Sequence, residues 1–297
     1  MAQKLYEEAN IQDIANAIRA KNGTTTTYKT NEMAAAIRGI ETGGGGTSDD
    51  LAIKVIEGEG TITELPSGIT KIRDYAFQGN TDLSLTSLPN TVTSIGRNAF
   101  EQCTNLSLTS LPSGITAIEN STFKQCTNLS LTSLPSGVNS IREDAFSSCT
   151  NLALTSLPNG VKTIWDYAFN NCTNLALTYL PDGVTNIRQF AFFNCDSLVL
   201  TSLPSSLNYI ETCAFGNCSN LALTSIPSSV KSIGEWAFQY CTGLTTLTFK
   251  GTPSSIASNA FINCTNITTI NVPWAYGAVA GAPWGAKNAT INYNYTE

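Results

Sequence analysis

The residues with the greatest capacity for chemistry are nine cysteines, eight of which recur every 23 residues: Cys103, Cys126, Cys149, Cys172, Cys195, Cys218, Cys241 and Cys264. Thiols in such number could ligate a metal, form a disulfide framework or act as nucleophiles. Metal sites want cysteines two to four residues apart, usually with histidine, whereas this chain has one cysteine per interval and no histidine. The missing histidine also removes Ser-His-Asp and Cys-His machinery, and the few lysines single out no Ser-Lys or Cys-Lys pair. The column therefore reads as buried free thiols acting as small core hydrophobes. The alternative, pairing of thiols in neighbouring repeats, lies within disulfide reach but is opposed by parallel side-chain vectors. Cys213 stands off the column, beside Ala214-Phe215, and is expected to be the exposed thiol.

Carboxylates offer little more. Glu143-Asp144, Asp49-Asp50 and Glu57/Glu59 are neighbours in sequence at variable or linker positions, which suits a solvated surface better than the acid and base of a glycosidase. The glycine run Gly43-Gly44-Gly45-Gly46 is followed by Thr-Ser-Asp-Asp, which would repel a phosphate. No catalytic residue, metal or cofactor is expected, and the chain reads as a non-enzyme. A net charge of −6 without any Lys/Arg-rich run removes the electrostatic term that dominates nucleic-acid binding. No window approaches the ~18 apolar residues of a membrane span, and the start Met-Ala-Gln-Lys-Leu-Tyr-Glu-Glu carries acids where a secretory signal needs apolar residues. Synthesis as a cytosolic chain is expected, which leaves virion parts open.

What positions these residues is a repeat. Phenylalanine falls at Phe77, Phe100, Phe123, Phe146, Phe169, Phe192, Phe215, Phe238 and Phe261, an unbroken spacing of 23, and proline keeps that period from Pro66 to Pro227. Alanine precedes each Phe except Phe123, where Thr122 stands. A unit this short cannot bury its own apolar stripe, so it must stack on its neighbours around one shared core. The leucine-rich stretch, such as Leu152-Ala-Leu154-Thr-Ser-Leu157, suits a short strand, and the Pro-Asn-Gly that follows supplies turn chemistry. The expected fold is a β-rich solenoid of nine 23-residue coils with parallel β ladders, a rod or shallow arc roughly 40 Å long at ~4.8 Å per strand.

The pattern Ile-x-x-x-Ala-Phe-x-x-Cys-x-x-Leu, in register from about Leu51 to Val272, resembles the BspA-like leucine-rich repeats of bacterial surface and phage-associated proteins. The resemblance implies a leucine-rich-repeat solenoid that binds rather than catalyses. Two departures stand out: Asn80 replaces cysteine in the first unit, as a capping coil would allow. The eighth unit reads Leu244-Thr-Thr-Leu247-Thr-Phe249 and moves its proline to Pro253.

Outside the repeat, Ile11, Ile14 and Ile18 fall on one helical face before Gly23, and Met33, Ile37 and Ile40 mark a second short helix. Residues 1–42 thus read as a small α-helical hairpin, an attachment module that must pack on a partner or on a second copy of itself as a homo-oligomer. Residues 43–50 read as a flexible linker, residues 51–270 as the solenoid and 271–297 as a C-terminal cap, with a pocket lined by Trp274 and Trp284 as the alternative for that last stretch. The segment Ile14-Ala-Asn-Ala-Ile-Arg-Ala-Lys-Asn-Gly23, followed by Glu32-Met-Ala-Ala-Ala-Ile-Arg-Gly-Ile40, resembles the beginnings of phage and prophage tail or fibre-associated proteins. That resemblance implies docking of residues 1–42 to a tail, baseplate or fibre protein.

The variable positions point to binding. Two residues before the Phe column stand Tyr167, Phe190 and Trp236, and Trp165, Tyr179, Phe193, Tyr209 and Tyr240 occupy positions that are polar in other coils. Excess aromatics outside the framework mark interfaces; the alternative is that these rings cover the edge of the core. The functional expectation is a receptor-binding adhesin in a virion tail, made without a signal peptide, whose solenoid contacts a bacterial-surface protein or glycan. The alternative is a BspA-like adhesin of the bacterial cell surface. Neither nucleic acid nor membrane insertion is expected.

Overall fold

A computed structural model of the chain describes residues 63–296 apart from Pro66, together with the backbone of a strand at Ile40–Thr42. The described residues form a parallel β-solenoid of about ten coils with no helix. Each coil begins with a strand of two to four residues that ends on a buried isoleucine. β2 (Ile69–Ile72) and β3 (Ser94–Ile95) form one short ladder. β4 (Ala117–Ile118), β5 (Ser140–Ile141), β6 (Thr163–Ile164), β7 (Asn186–Ile187), β8 (Tyr209–Ile210), β10 (Ser232–Ile233) and β12 (Ser255–Ile256) form a second of seven strands. Every parallel pairing in these two ladders joins residues 23 apart, as in Asn186 with Tyr209 and Ile187 with Ile210, so register is set by the length of the repeat.

After each strand the chain turns through the Ala-Phe segment in a pattern that explains its rigidity. In the fifth coil the amides of Tyr167, Phe169 and Asn171 donate along the axis to the carbonyls of Gln189, Ala191 and Phe193 at 2.9, 2.9 and 2.8 Å. The intervening amides of Ala168, Asn170 and Cys172 close turns on the carbonyls of Trp165, Tyr167 and Phe169 at 3.1 Å. Alternation between neighbour and self leaves no buried backbone donor idle in this segment. It requires left-handed backbone at Tyr167 (φ 56°) and Asn171 (φ 57°), and the same two columns are left-handed throughout coils one to eight.

The core is a set of columns. The nine phenylalanines are fully buried and stack as eight parallel, offset pairs with centroids 5.1–5.6 Å apart and planes within 11°. Each column cysteine donates its thiol to the Phe carbonyl of the preceding coil at 2.8–3.1 Å, and all nine cysteines are free and buried. Burial pushes the thiols up, to about 12 at Cys103, Cys218 and Cys264. Cys213 is not the exposed thiol its position predicts: it is 4% exposed, with Gln239 Nε2 3.7 Å from its sulfur. Thr122, the one departure from alanine, is also buried, and its hydroxyl donates to Glu119 and Gly96 carbonyls at 3.0 and 3.1 Å.

The strands differ from the sequence expectation in place. In the early coils the leucine stretch is extended but forms no ladder; its axial bonds are sparse, such as Ala153 N to Leu131 O at 3.1 Å. The proline in each of these stretches lacks an amide donor. Where the eighth coil gives up that proline, the stretch becomes the four-residue strand β11 (Thr246–Phe249). It joins β9 (Ser225–Ile226), β13 (Thr269–Asn271) and β14 (Thr290–Asn292) in a separate parallel sheet.

Both ends are closed by non-repeat chain. β1 (Ile40–Thr42) pairs antiparallel with β2, Ile40 opposite Ile72, which corrects the expectation that Ile40 ends a helix: the open edge of the first coil offers unpaired backbone groups that a strand can satisfy. The rest of the expected hairpin and the linker lie outside the described residues. At the other end the carbonyl of Trp284 accepts from Phe261 N at 2.8 Å, the part that an alanine or Thr122 carbonyl plays for the phenylalanines of coils one to eight. Trp284 and Trp274 are buried and pack on Phe249 with centroids 6.0 and 5.4 Å away, so they close the core and line no pocket.

Phe169→Ala removes two ring stacks from mid-ladder and is expected to cost about 3–5 kcal/mol and to split urea unfolding into two transitions; a single, unshifted transition would show that the ladder does not hold the coils together. The thiols ionise at 9.0 ordinarily and near 12 when folded. The unfolded chain therefore loses protons first as pH rises. Stability is intact below that lower value and falls above it, by ~1.4 kcal/mol per pH unit for each thiol. Urea midpoints at about pH 8 and about pH 10 check this, and a flat profile would mean that solvent reaches the folded thiols.

Candidate binding surface

The coil places the eight candidate aromatics on three faces. Tyr179 lies on the leucine stretch, in a column that is polar in the other coils and mostly serine, and is 51% exposed. Tyr209 and Trp165 lie on the outer side of the strand face, each beside a cation: Lys231 Nζ is 6.0 Å from the Tyr209 ring, and the Arg188 guanidinium is 5.1 Å from the Trp165 ring. Arg188 is held there by Asp166, Nε to Oδ2 at 2.9 Å. The remaining five, Tyr167, Phe190, Phe193, Trp236 and Tyr240, stand on the turn face. The candidates thus stand on three successive stretches of the coil: the strand, the turn after it and the leucine stretch.

Within the turn face, Tyr167 stacks on Phe190 at 4.9 Å with planes 3° apart, and Phe193 meets Phe190 edge-on at 5.5 Å. Phe193 lies across the next coil, where its ring occupies the place a side chain at Gly216 would need: a Cβ there would be 2.8 Å from Phe193 Cδ2. Beside these rings runs an amide ladder in the left-handed column, with Asn194 Nδ2 donating to Asn171 Oδ1 and Asn217 Nδ2 to Asn194 Oδ1, both at 2.7 Å. In the eighth coil Trp236 and Tyr240 occupy the two left-handed columns with φ 54° and 56°, and are 38% and 52% exposed.

That backbone is informative. Left-handed φ costs a residue with a Cβ ~1–2 kcal/mol, and asparagine or glycine tolerates it best. The first coil uses Gly79 in the Asn171 column and the ninth uses Asn263, as this predicts. Bulky rings at Tyr75, Tyr167, Phe190, Trp236 and Tyr240 contradict it. At Tyr167 and Phe190 ring stacking offsets the cost; at Trp236 and Tyr240 exposure leaves little offset, and such strain collects at functional positions.

On the strand face the Trp165 column shrinks to Gly234 and Ala257 after Glu211, leaving a shallow open notch of about 490 Å³ bordered by Glu211, Thr212 and Glu235. Burial raises the Glu211 carboxyl, opposed by Arg188. Of the acidic positions weighed from sequence, Asp144 is an ion pair with Lys124 at 3.0 Å. Asp49-Asp50 and Glu57/Glu59 lie outside the described residues. Sequence reading missed Gly216 and the Asn171-Asn194-Asn217 ladder, both legible as interval-23 columns.

The BspA type leucine rich repeat region, as a family model, matches residues 60–176 and 162–278. Among solved structures, a leucine-rich repeat protein from Bacteroides ovatus is 23% identical with a TM-score of 0.57, over 78% of this chain and 68% of that one. A leucine rich cell surface protein from Faecalibacterium prausnitzii is 23% identical with a TM-score of 0.45, over 82% of this chain and 90% of that one. The pneumococcal vaccine antigen PcpA is 19% identical with a TM-score of 0.45, over 80% of each chain. No curated protein matches in sequence.

Tyr240→Asn would extend the amide ladder toward Asn263 and relieve the left-handed strain. It is expected to raise stability by ~0.5–1 kcal/mol, read as an upward shift in thermal midpoint; a downward shift would show that the ring is a structural cover.

Proposed function

The chain belongs to the BspA-type leucine-rich-repeat family, and we propose that it is a non-catalytic adhesion protein of the bacterial cell surface whose solenoid binds a surface protein or glycan. Solenoids of this kind are typical of non-enzymatic binding proteins: stacked coils give an extended surface on a constant frame. The observation that carries the reading is the contrast between an almost invariant interior and exposed rings at Trp165, Trp236 and Tyr240. Trp165 with its Arg188 contact supplies the mix of aromatic and guanidinium groups that dominates binding energy at interfaces.

A second reading follows from residues 1–42. In it the same solenoid stands on a phage or prophage tail, with that segment docked to a tail, baseplate or fibre protein or assembled as a homo-oligomer; its support is the resemblance of the segment to tail and fibre-associated proteins. The two readings share the binding surface and differ in location. Envelope fractionation separates them: recovery of the chain with the cell surface supports the first, and recovery with sedimenting particles the second.

Fluorescently labelled full chain is expected to bind cells selectively across a panel, and the triple variant Trp165→Ala, Tyr167→Ala, Trp236→Ala to bind roughly tenfold more weakly or worse while unfolding cooperatively. Equal binding by the variant would remove these faces from the proposal, and no binding to any cell would overturn the adhesin reading.

A further inference from the structure

The turn face changes character along the solenoid. Its three outward columns, those of Tyr167, Asn170 and Asn171, carry Glu101, Lys124 and Asp144 in the first four coils. These charges are satisfied locally, Lys124 by Asp144 at 3.0 Å and Glu101 by Gln78 and Asn98 at 2.6 Å each. From the fifth to the eighth coil the same columns contain no charged residue. They hold rings, amides and, in the seventh coil, the two small residues Cys213 and Gly216.

From this arrangement we infer that the turn face of coils five to eight is a binding site for a neutral oligosaccharide. The inference rests on the adhesin reading and names the ligand class for one of its faces. A sugar ring presents an apolar face of C–H bonds and an equatorial rim of hydroxyls. The first matches an exposed aromatic ring, and the second matches amides with a donor or acceptor to spare. Asn194 and Asn217 each spend one N–H on the neighbour before them, which leaves the second N–H of each, the Nδ2 of Asn171 and the Oδ1 of Asn217 at the ladder's end for hydroxyls.

The ring cluster Tyr167-Phe190-Phe193 and the two rings Trp236 and Tyr240 stand on either side of the seventh coil, where Cys213 and Gly216 add no bulk of their own and Phe193 lies over Gly216. Coils two apart stand ~10 Å from each other, a span for a short oligosaccharide rather than a single sugar. An acidic glycan, or a peptide chosen by its charges, would find no ion-pair partner in these columns. An exposed ring in left-handed backbone occurs once in the first coil, at Tyr75, but only the eighth coil fills both left-handed columns with exposed rings, Trp236 and Tyr240, where asparagine would be more stable, and it is this pair, beside the amide ladder, that the ligand contacts.

Full-length chain is tested on an array of immobilised oligosaccharides with neutral, sialylated and sulfated members, and the neutral oligosaccharide retained best is then titrated in solution while tryptophan fluorescence is followed. Retention of neutral members, a fluorescence change on titration, and at least about tenfold weaker binding by Trp236→Asn and Tyr240→Asn, with thermal midpoints equal to or above the parent, is the expected result. Tyr75→Asn, the same kind of change in the same column at the first coil, is expected to bind as the parent does. Equal binding by all three variants would overturn the site. If the array retains nothing while cells still bind the chain, and that binding is abolished by protease treatment of the cells but survives their periodate oxidation, the ligand is a protein: the glycan inference falls and the adhesin reading stands. Loss of both array and cell binding overturns the two together.

Discussion

The structure depends on one constraint: a coil of 23 residues can satisfy its backbone and bury its apolar side chains only by borrowing from the coils above and below. The alternating amides of the Ala-Phe segment express it most directly. Half of them close the turn and half reach the next coil, so neither turn nor stack exists without the other. The phenylalanine column and the thiols that cap the Phe carbonyls occupy the space this hydrogen-bond pattern encloses. Stability is then a sum over neighbour contacts with no coil self-sufficient, and the ends need special provision. β1 and the Trp284 cap supply it by two routes, an antiparallel strand at one end and a pseudo-coil at the other.

The same constraint separates framework from function. Interior positions are fixed by the spacing between coils: a phenylalanine ring every ~5 Å leaves room for little else, and the cysteine column takes a small, weakly polar group able to reach a carbonyl one coil away. Outward positions feel only the left-handed backbone that the turns demand. Where that demand is met by asparagine, glutamine, serine or glycine, local energetics explain the residue. Where it is met by tryptophan or tyrosine facing solvent, as at Tyr75, Trp236 and Tyr240, local energetics do not, and in the eighth coil, where rings fill both columns, ligand contact is the reason we propose. In a fold built from near-identical units, the departures carry the specificity.

Much of this was legible in the sequence. The period, the stacked architecture, the core columns and the free state of the thiols all follow from spacing and residue type, because a repeat imposes one environment on every residue at a given place in the interval. The strand positions were less legible: leucine alternation pointed to the stretch before each proline, yet the missing proline amide moves the main ladder to the isoleucine after the turn. Strands form where the leucines are only in the last coils, at β9, β11 and β13, and the longest of them is in the eighth coil, which lacks that proline. Cys213 was misplaced for a similar reason, since its surroundings are supplied by Gln239 from the following coil, 26 residues away.

What the sequence alone determined is therefore what repeats: the coil length, the interior columns and the absence of charge along three outward columns in coils five to eight. What the tertiary structure decided is which exceptions meet. It put Phe193 over Gly216, drew Asn171, Asn194 and Asn217 into one ladder, set Trp165 against Arg188, and sent Tyr179 to a different face from its fellow aromatics. Those outcomes turn on where each side chain leaves the coil and on backbone φ at single residues, quantities that residue spacing along a chain does not contain.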